Sequence, residues 1–261
     1  MINVRDDAKI PYVLYVHEVA NSIILPQLWV VLASRRDGLD NYRCDRQYRD
    51  RMNSESINVR RYEPRDRVAV REICCDTADG GEPVEQFFPD REVFADVLTR
   101  YYTDFAPEAS WVAEQDGRVI GYLTGCFDTR RFLRTMAVRI VPVAVLKALA
   151  HGSLWHRFVR QNLHLPASQR RQLLADYPAH FHLNLRVGDR GQGTGLQLLG
   201  KFLEQARQAG VPGVHAGVSE ANVAGRKFFE HGSFVAVSRE ARFRTDNQPS
   251  FTILYGLRLV K

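Results

Sequence analysis

The residues with chemistry to offer stand together between positions 180 and 195. His180, His182 and Asn184 occupy every second position of one stretch, and Arg190-Gly191-Gln192-Gly193-Thr194-Gly195 follows it. A histidine, with an ordinary pKa of about 6.5, can take up a proton near neutral pH. Three glycines in five residues let a backbone come close to a ligand without interference from Cβ atoms. A helix starting where the glycines stop turns its free N–H groups and positive dipole end toward the same ligand. Together these features suit a pyrophosphate. The loop is not a P-loop, since no Gly-Lys-Ser/Thr follows, and it does not fit GxGxxG.

The elements that must position this stretch can be read from periodicity. Phe181, Leu183 and Leu185 alternate with His182, Asn184 and Arg186, the period of a strand with one buried face. Leu196, Leu199, Leu203 and Ala206 recur at helical spacing after the glycines, and Gly210 and Pro212 end that helix. Upstream, Ile57 to Tyr62 alternates as a strand, and Pro64 opens a helix carrying Val68, Val70, Ile73 and Cys74. A second helix is predicted from Arg91 to Phe105. Asp116-Gly117, set between two apolar runs, predicts a hairpin. Downstream, Val214 to Val218, Phe234 toward Phe243, and Phe251 to Leu259 read as strands.

Between hairpin and histidine strand lies an insertion of about fifty residues, Thr129 to Pro178. Leu133, Met136, Ile140 and Val143 form one apolar stripe, and Trp155, Phe158, Val159 and Leu163 another, so helices are expected, with a kink or break at Pro142. The insertion carries nine Lys/Arg (Arg130, Arg131, Arg134, Arg139, Lys147, Arg157, Arg160, Arg170, Arg171) against one acid, Asp176, within a chain of net charge +6. The basicity of the chain therefore resides there. It is expected either to attract an anionic partner or to be a solvated charged face. Nucleic acid is the weakest of the anionic options, because no reading motif accompanies the charge.

Arg190, Gly193 and Gly195 fit Arg/Gln-x-x-Gly-x-Gly/Ala, which resembles the acetyl-CoA loop of the GNAT superfamily of N-acyltransferases. Asn222 to Phe234 resembles a second signature of that superfamily, Asn-x-x-Ala-x-x-x-Tyr-x-x-x-Gly-Phe, with Gly225 at the alanine and Phe229 at the tyrosine. Tyr177 to Leu185 further resembles GNAT domains found in bacteria and attached to some O-GlcNAc-removing enzymes. The resemblance implies an α+β fold: a mixed, largely antiparallel twisted sheet with flanking helices, enlarged here by a helical insertion before the acetyl-CoA-binding strand. It implies acetyl transfer from acetyl-CoA to a primary amine of a small molecule or protein, directly in a ternary complex, without a metal. Leu183 and Leu185 would contact the cofactor through their main chain. Arg190, Gly191, Gln192, Gly193, Thr194 and Gly195 would bind its pyrophosphate, and Asn222 and Phe229 would also line it. His182 and Asn222 are the expected catalytic residues. Phenylalanine cannot donate a proton, so Phe229 in place of tyrosine opens an alternative: a non-catalytic acyl-CoA- or protein-binding module on the same fold.

Composition sets the remaining bounds. At 261 residues, 45% hydrophobic and 25% charged, the chain is an ordinary globular sequence. Cys44, Cys74, Cys75 and Cys126 form no CxxC pair and read as reduced thiols of a cytoplasmic protein. The longest apolar run, Ile23 to Ala33, is broken by Pro26 and Gln27, so no membrane partner is expected. Residues 1–56 hold eight Lys/Arg and eight Asp/Glu without a sustained period, and read as a poorly ordered extension ahead of a GNAT domain over 57–261. A homodimer is compatible with all of this.

Overall fold

A computed structural model describes residues 57–78, 83–86, 88, 90–150, 167–243 and 249–259, with side chains excepted at 148–150, 167–170, 242–243 and 249–250. The expected extension over 1–56 and the stripe Trp155–Leu163 lie outside the described residues.

The chain forms β1 (Asn58–Arg61), α1 (Arg67–Asp76), α2 (Arg91–Arg100), β2 (Trp111–Gln115), β3 (Arg118–Cys126), α3 (Thr129–Thr135), α4 (Val141–Ala150) and α5 (Ala167–Asp176). It continues through β4 (Ala179–Leu185), α6 (Thr194–Gln208), β5 (Gly213–Ser219), α7 (Val223–His231), β6 (Val235–Phe243) and β7 (Pro249–Arg258). The seven strands make one sheet in the order β1-β2-β3-β4-β5-β7-β6. Every neighbouring pair is antiparallel except β4 with β5. This is the mixed, largely antiparallel α+β architecture expected.

Local chemistry accounts for several elements. Gln115 pairs with Arg118 across a two-residue turn in which Asp116 and Gly117 both take positive φ, 53° and 74°. That backbone gives the tight hairpin its twist, and Asp-Gly tolerates it best. Asp90 starts α2 by accepting the Val93 N–H at 3.0 Å. The predicted helix over Arg91–Phe105 ends as a wide turn, Tyr101–Phe105, closed by Ala106 N–H to the Tyr101 carbonyl. The turn buries both Tyr101 and Tyr102. Pro142 does not break its helix. A second wide turn, Met136–Ile140, interrupts the regular helical bonding just ahead of it, and the helix resumes as α4 with Pro142 in its first turn.

Two apolar layers sandwich the sheet. One joins Val70, Ile73, Val93, Tyr101 and Tyr102 of the first helices with Phe132, Met136 and Ile140 of the insertion, against Val112, Tyr122 and Cys126. The other packs Leu198, Leu199, Phe202 and Phe229 of α6 and α7 against Leu123, Phe181, Leu183 and Val218. Val68, expected in the apolar stripe of α1, is 65% exposed, while Val70 and Ile73 two and five residues on are sealed. Val143 is also outward.

Candidate active site at the split between two parallel strands

Strands β4 and β5 are each seven residues long, yet only Ala179–Val214 and His180–His215 are paired. Beyond that point the ladder stops, while β4 keeps β3 on its other side through Leu185. The main-chain groups of Phe181 to Leu185 that face β5 therefore have no partner on that strand, and the chain runs on from Leu185 to the glycine loop.

At that end Gly191 and Gly193 take φ of 83° and 78°. A Cβ at either would meet nothing within 4 Å, so open space lies before both. Gly193 caps α6, accepting the Leu196 N–H at 3.0 Å. Gly195 is glycine for a different reason: its Cβ would stand 3.2 Å from Phe228 and 3.6 Å from Leu183, where α6 crosses β4. Arg190 donates from Nε to the Leu185 carbonyl at 3.2 Å. Its Nη1 and Nη2 are buried without a partner among the described residues, and burial pulls its pKa below the ordinary guanidinium value. These two donors without a partner among the described residues, together with the N–H groups of a helix N-terminus, are groups of the kind that hydrogen-bond an anion.

The strand leading to the loop is not half-exposed as its alternation predicts. All seven residues of β4 are buried, and the polar set His180, His182 and Asn184 faces the layer built by α1, α2 and α3. Asn184 Nδ2 donates to the Tyr122 hydroxyl at 2.8 Å. The Thr129 hydroxyl lies 2.6 Å from the Pro178 carbonyl and 2.6 Å from His180 Nδ1. Its single proton goes to the carbonyl, so His180 Nδ1 carries hydrogen and donates to Thr129. The Nε2 lone pair of His180 then accepts from the Tyr102 hydroxyl at 2.8 Å. His180 is thus fully satisfied and neutral, its pKa driven well below the usual value by burial and by the neighbouring His215 and His182.

His182 differs. Its ring meets Tyr102 edge-on at 5.4 Å, makes no hydrogen bond among the described residues, and keeps 8% of its surface accessible. Burial lowers its pKa to about 4, so the expected value near neutrality is corrected: the ring is neutral at pH 7 and a weak base. His215, next to His180 at 5.6 Å between ring centroids, bonds the Tyr177 carbonyl through Nδ1 and is also lowered to about 4.

Of two further residues expected at the cofactor, Asn222 has a structural role and Phe229 is sealed. The Asn222 side chain caps α7, its Oδ1 accepting the Gly225 N–H at 2.8 Å. Phe229 has no accessible surface: it stacks on Tyr255 at 4.9 Å and 13° and touches Phe181, Phe228 and Phe234. A ring closed on every side lines no ligand. Tyr102, Thr129 and Tyr122, which orient the polar row, were not singled out from the sequence, because nothing local marks a tyrosine or threonine as the partner of a distant histidine. Among the described residues, no group of His, Cys, Asp or Glu is arranged to hold a metal, and no helix is long and apolar enough to cross a membrane.

The architecture is a mixed sheet split between its two parallel strands, with a glycine-rich helix start following the split strand. No family model matches the chain. Solved structures do. SsHAT superposes with a TM-score of 0.62 at 28% identity, over 79% of this chain and 100% of that one. The Drosophila melanogaster polyamine N-acetyltransferase gives 0.54 at 13% identity, over 78% and 100%. The yncA protein of Salmonella typhimurium, solved with acetyl-CoA, gives 0.51 at 14% identity, over 79% and 95%. The chain thus shares the fold of these N-acetyltransferases.

Proposed function

We propose that the protein is an acyltransferase that moves an acetyl group from acetyl-CoA to a primary amine of a small molecule or protein, by direct transfer in a ternary complex. One observation carries this reading: the β4–β5 ladder stops after two pairs, and the strand it leaves runs to Arg190, whose two Nη groups are buried without a partner among the described residues, and to glycines with open space before them. The main chain of Leu183 and Leu185 would pair with the amides of the pantetheine arm. Arg190 and the N–H groups of Gly191, Gln192, Gly193, Thr194 and Gly195 would hold the pyrophosphate.

The bound thioester supplies an activated acetyl carbonyl. Transfer forms a C–N bond and breaks a C–S bond, so a proton must leave the amine and one must reach the sulfur. His182 holds the available lone pair on this face. With a pKa of about 4 it is roughly six units too weak to deprotonate a free alkylammonium of pKa about 10. It suits proton removal only once bond formation has made the nitrogen acidic, so the amine must arrive uncharged. Asn222 starts α7 through its Oδ1, a bond that does not use its amide N–H₂, and the sealed Phe229 donates nothing to the sulfur.

The alternative, a non-catalytic acyl-CoA- or protein-binding module, is favoured by the enclosed Phe229 and the weak His182. One experiment separates the two. Acetyl-CoA is expected to raise the melting temperature, since a ligand at a hundredfold excess over Kd adds about 2.7 kcal/mol; an amine library is then expected to release free thiol. An unmoved melting temperature refutes the ligand, and a shift without thiol release for any amine selects the module.

A further inference from the structure

Exposed arginines without an ion pair among the described residues cluster on one helix. Arg60, Arg67, Arg71, Arg91, Arg186 and Arg239 each meet one or more carboxylates. Arg130, Arg131 and Arg134 on α3 are exposed and make no ion pair among the described residues. The acid beside them, Asp128, spends its Oδ1 on the Arg130 and Arg131 N–H groups at 2.9 and 3.1 Å. Three exposed guanidiniums without an ion pair among the described residues thus stand together on two helical turns and form a local cationic surface.

The same two turns form a wall of the candidate site. Phe132, inward between the arginines, packs on His180 at 4.6 Å and on Tyr102 at 5.4 Å, and Tyr102 touches His182. Thr129, the first residue of α3, holds His180 directly. One helix, about 10 Å across, thus separates the arginines from the polar row of β4. Val138, one further turn along, is 75% exposed. A phosphate backbone gains nothing from an exposed valine, whereas a polypeptide offers it an apolar side chain.

We propose that the outer face of α3 is a docking surface for an acidic polypeptide that carries the acceptor amine. The proposal rests on the transferase reading for the fate of the amine, but not for binding. Long-range attraction by unpaired surface charge raises the local concentration of such a segment beside His182, and is screened over about 10 Å at 0.1 M salt.

The test is fluorescence anisotropy with the full chain and a labelled peptide holding one lysine among glutamates, beside its glutamine counterpart. Wild type is expected to prefer the glutamate peptide about tenfold, with the preference fading as salt rises. The triple variant Arg130→Gln, Arg131→Gln, Arg134→Gln is expected to lose the preference, while its acetyl-CoA melting shift stays as in wild type. Val138→Ser is expected to weaken the acidic peptide without altering the salt response. Equal affinity for the two peptides in wild type, or an unchanged preference in the folded triple variant, overturns the proposal. So does a tighter, arginine-dependent hold on single-stranded DNA or on phosphatidylglycerol vesicles. Loss of the acetyl-CoA shift in wild type with the peptide preference intact would refute the transferase reading and leave the docking surface standing.

Discussion

Acid should unfold this protein through its buried histidines before it reaches the carboxylates. His182 and His215 have folded pKa values of about 4, against about 6.5 for an unperturbed histidine. A depressed histidine pKa means that the unfolded chain takes up the proton first. Each ring therefore contributes stability that is fully present above pH 6.5 and is lost as pH falls toward 4. A shift of about 2.5 units corresponds to about 3 kcal/mol, of which about 2.5 kcal/mol is already gone at pH 4.5. Two rings together cost about 5 kcal/mol, the lower end of the stability of a whole domain. His180, lowered further still, acts in the same direction. Asp66, Asp96 and Asp104 have lowered pKa values as well, and their contributions disappear only below about pH 4. The pH window between 6.5 and 4.5 therefore belongs to the histidines.

Urea titrations at pH 7.5, 6.0, 5.0 and 4.5 would read this directly. The midpoint is expected to fall steeply below pH 6, and His182→Gln, which removes a ring without a hydrogen bond, should flatten the dependence by about one proton's worth. An imidazole resonance of His182 titrating near 6.5, or a midpoint that is level down to pH 4.5, would refute the argument from burial.

Further substitutions test the placement of individual residues. Gly193→Asp should abolish the acetyl-CoA melting shift, because it sets a carboxylate against the proposed pyrophosphate site at a φ of 78° that costs a side chain about 1 kcal/mol; a retained shift would remove the loop from the binding site. Gly195→Val should lower stability by about 1–3 kcal/mol in urea, since the Cβ alone already meets Phe228 at 3.2 Å. Phe229→Tyr should cost about 1–3 kcal/mol by enclosing a hydroxyl in an aromatic cluster, and should add no alkaline limb to turnover; an alkaline limb would mean that the ring reaches the sulfur. Asp96→Asn should cost about 1–3 kcal/mol, because Arg71 and Lys147 both lean on that nearly buried carboxylate at 2.7 and 2.6 Å.

What could be read from the sequence was whatever the local backbone decides. Asp116-Gly117 specified its turn because those residues tolerate the two positive φ values a two-residue hairpin needs. The glycines at 191 and 193 were legible for the same reason. The second face of β4 was not, because polar residue types signal water only when no partner is at hand. His180 has two partners, Thr129 and Tyr102, which stand 51 and 78 residues away in the chain. Phe229 was misplaced in the same way: its motif position pointed to the cofactor, while its contacts with Tyr255 and Phe234 are set by strands folded later in the chain. The two errors share a consequence for the chemistry. A row of neutral imidazoles sealed beneath Tyr102 costs desolvation that leucines would avoid. It leaves a polar wall that neither repels an uncharged amine nor holds a charged one by ion pairing. If the arginines of α3 gather an acidic segment outside that wall, charge recognises the partner at the surface and the interior admits only the neutral nitrogen. Selection by charge and reaction without it then occur within one helix diameter of each other.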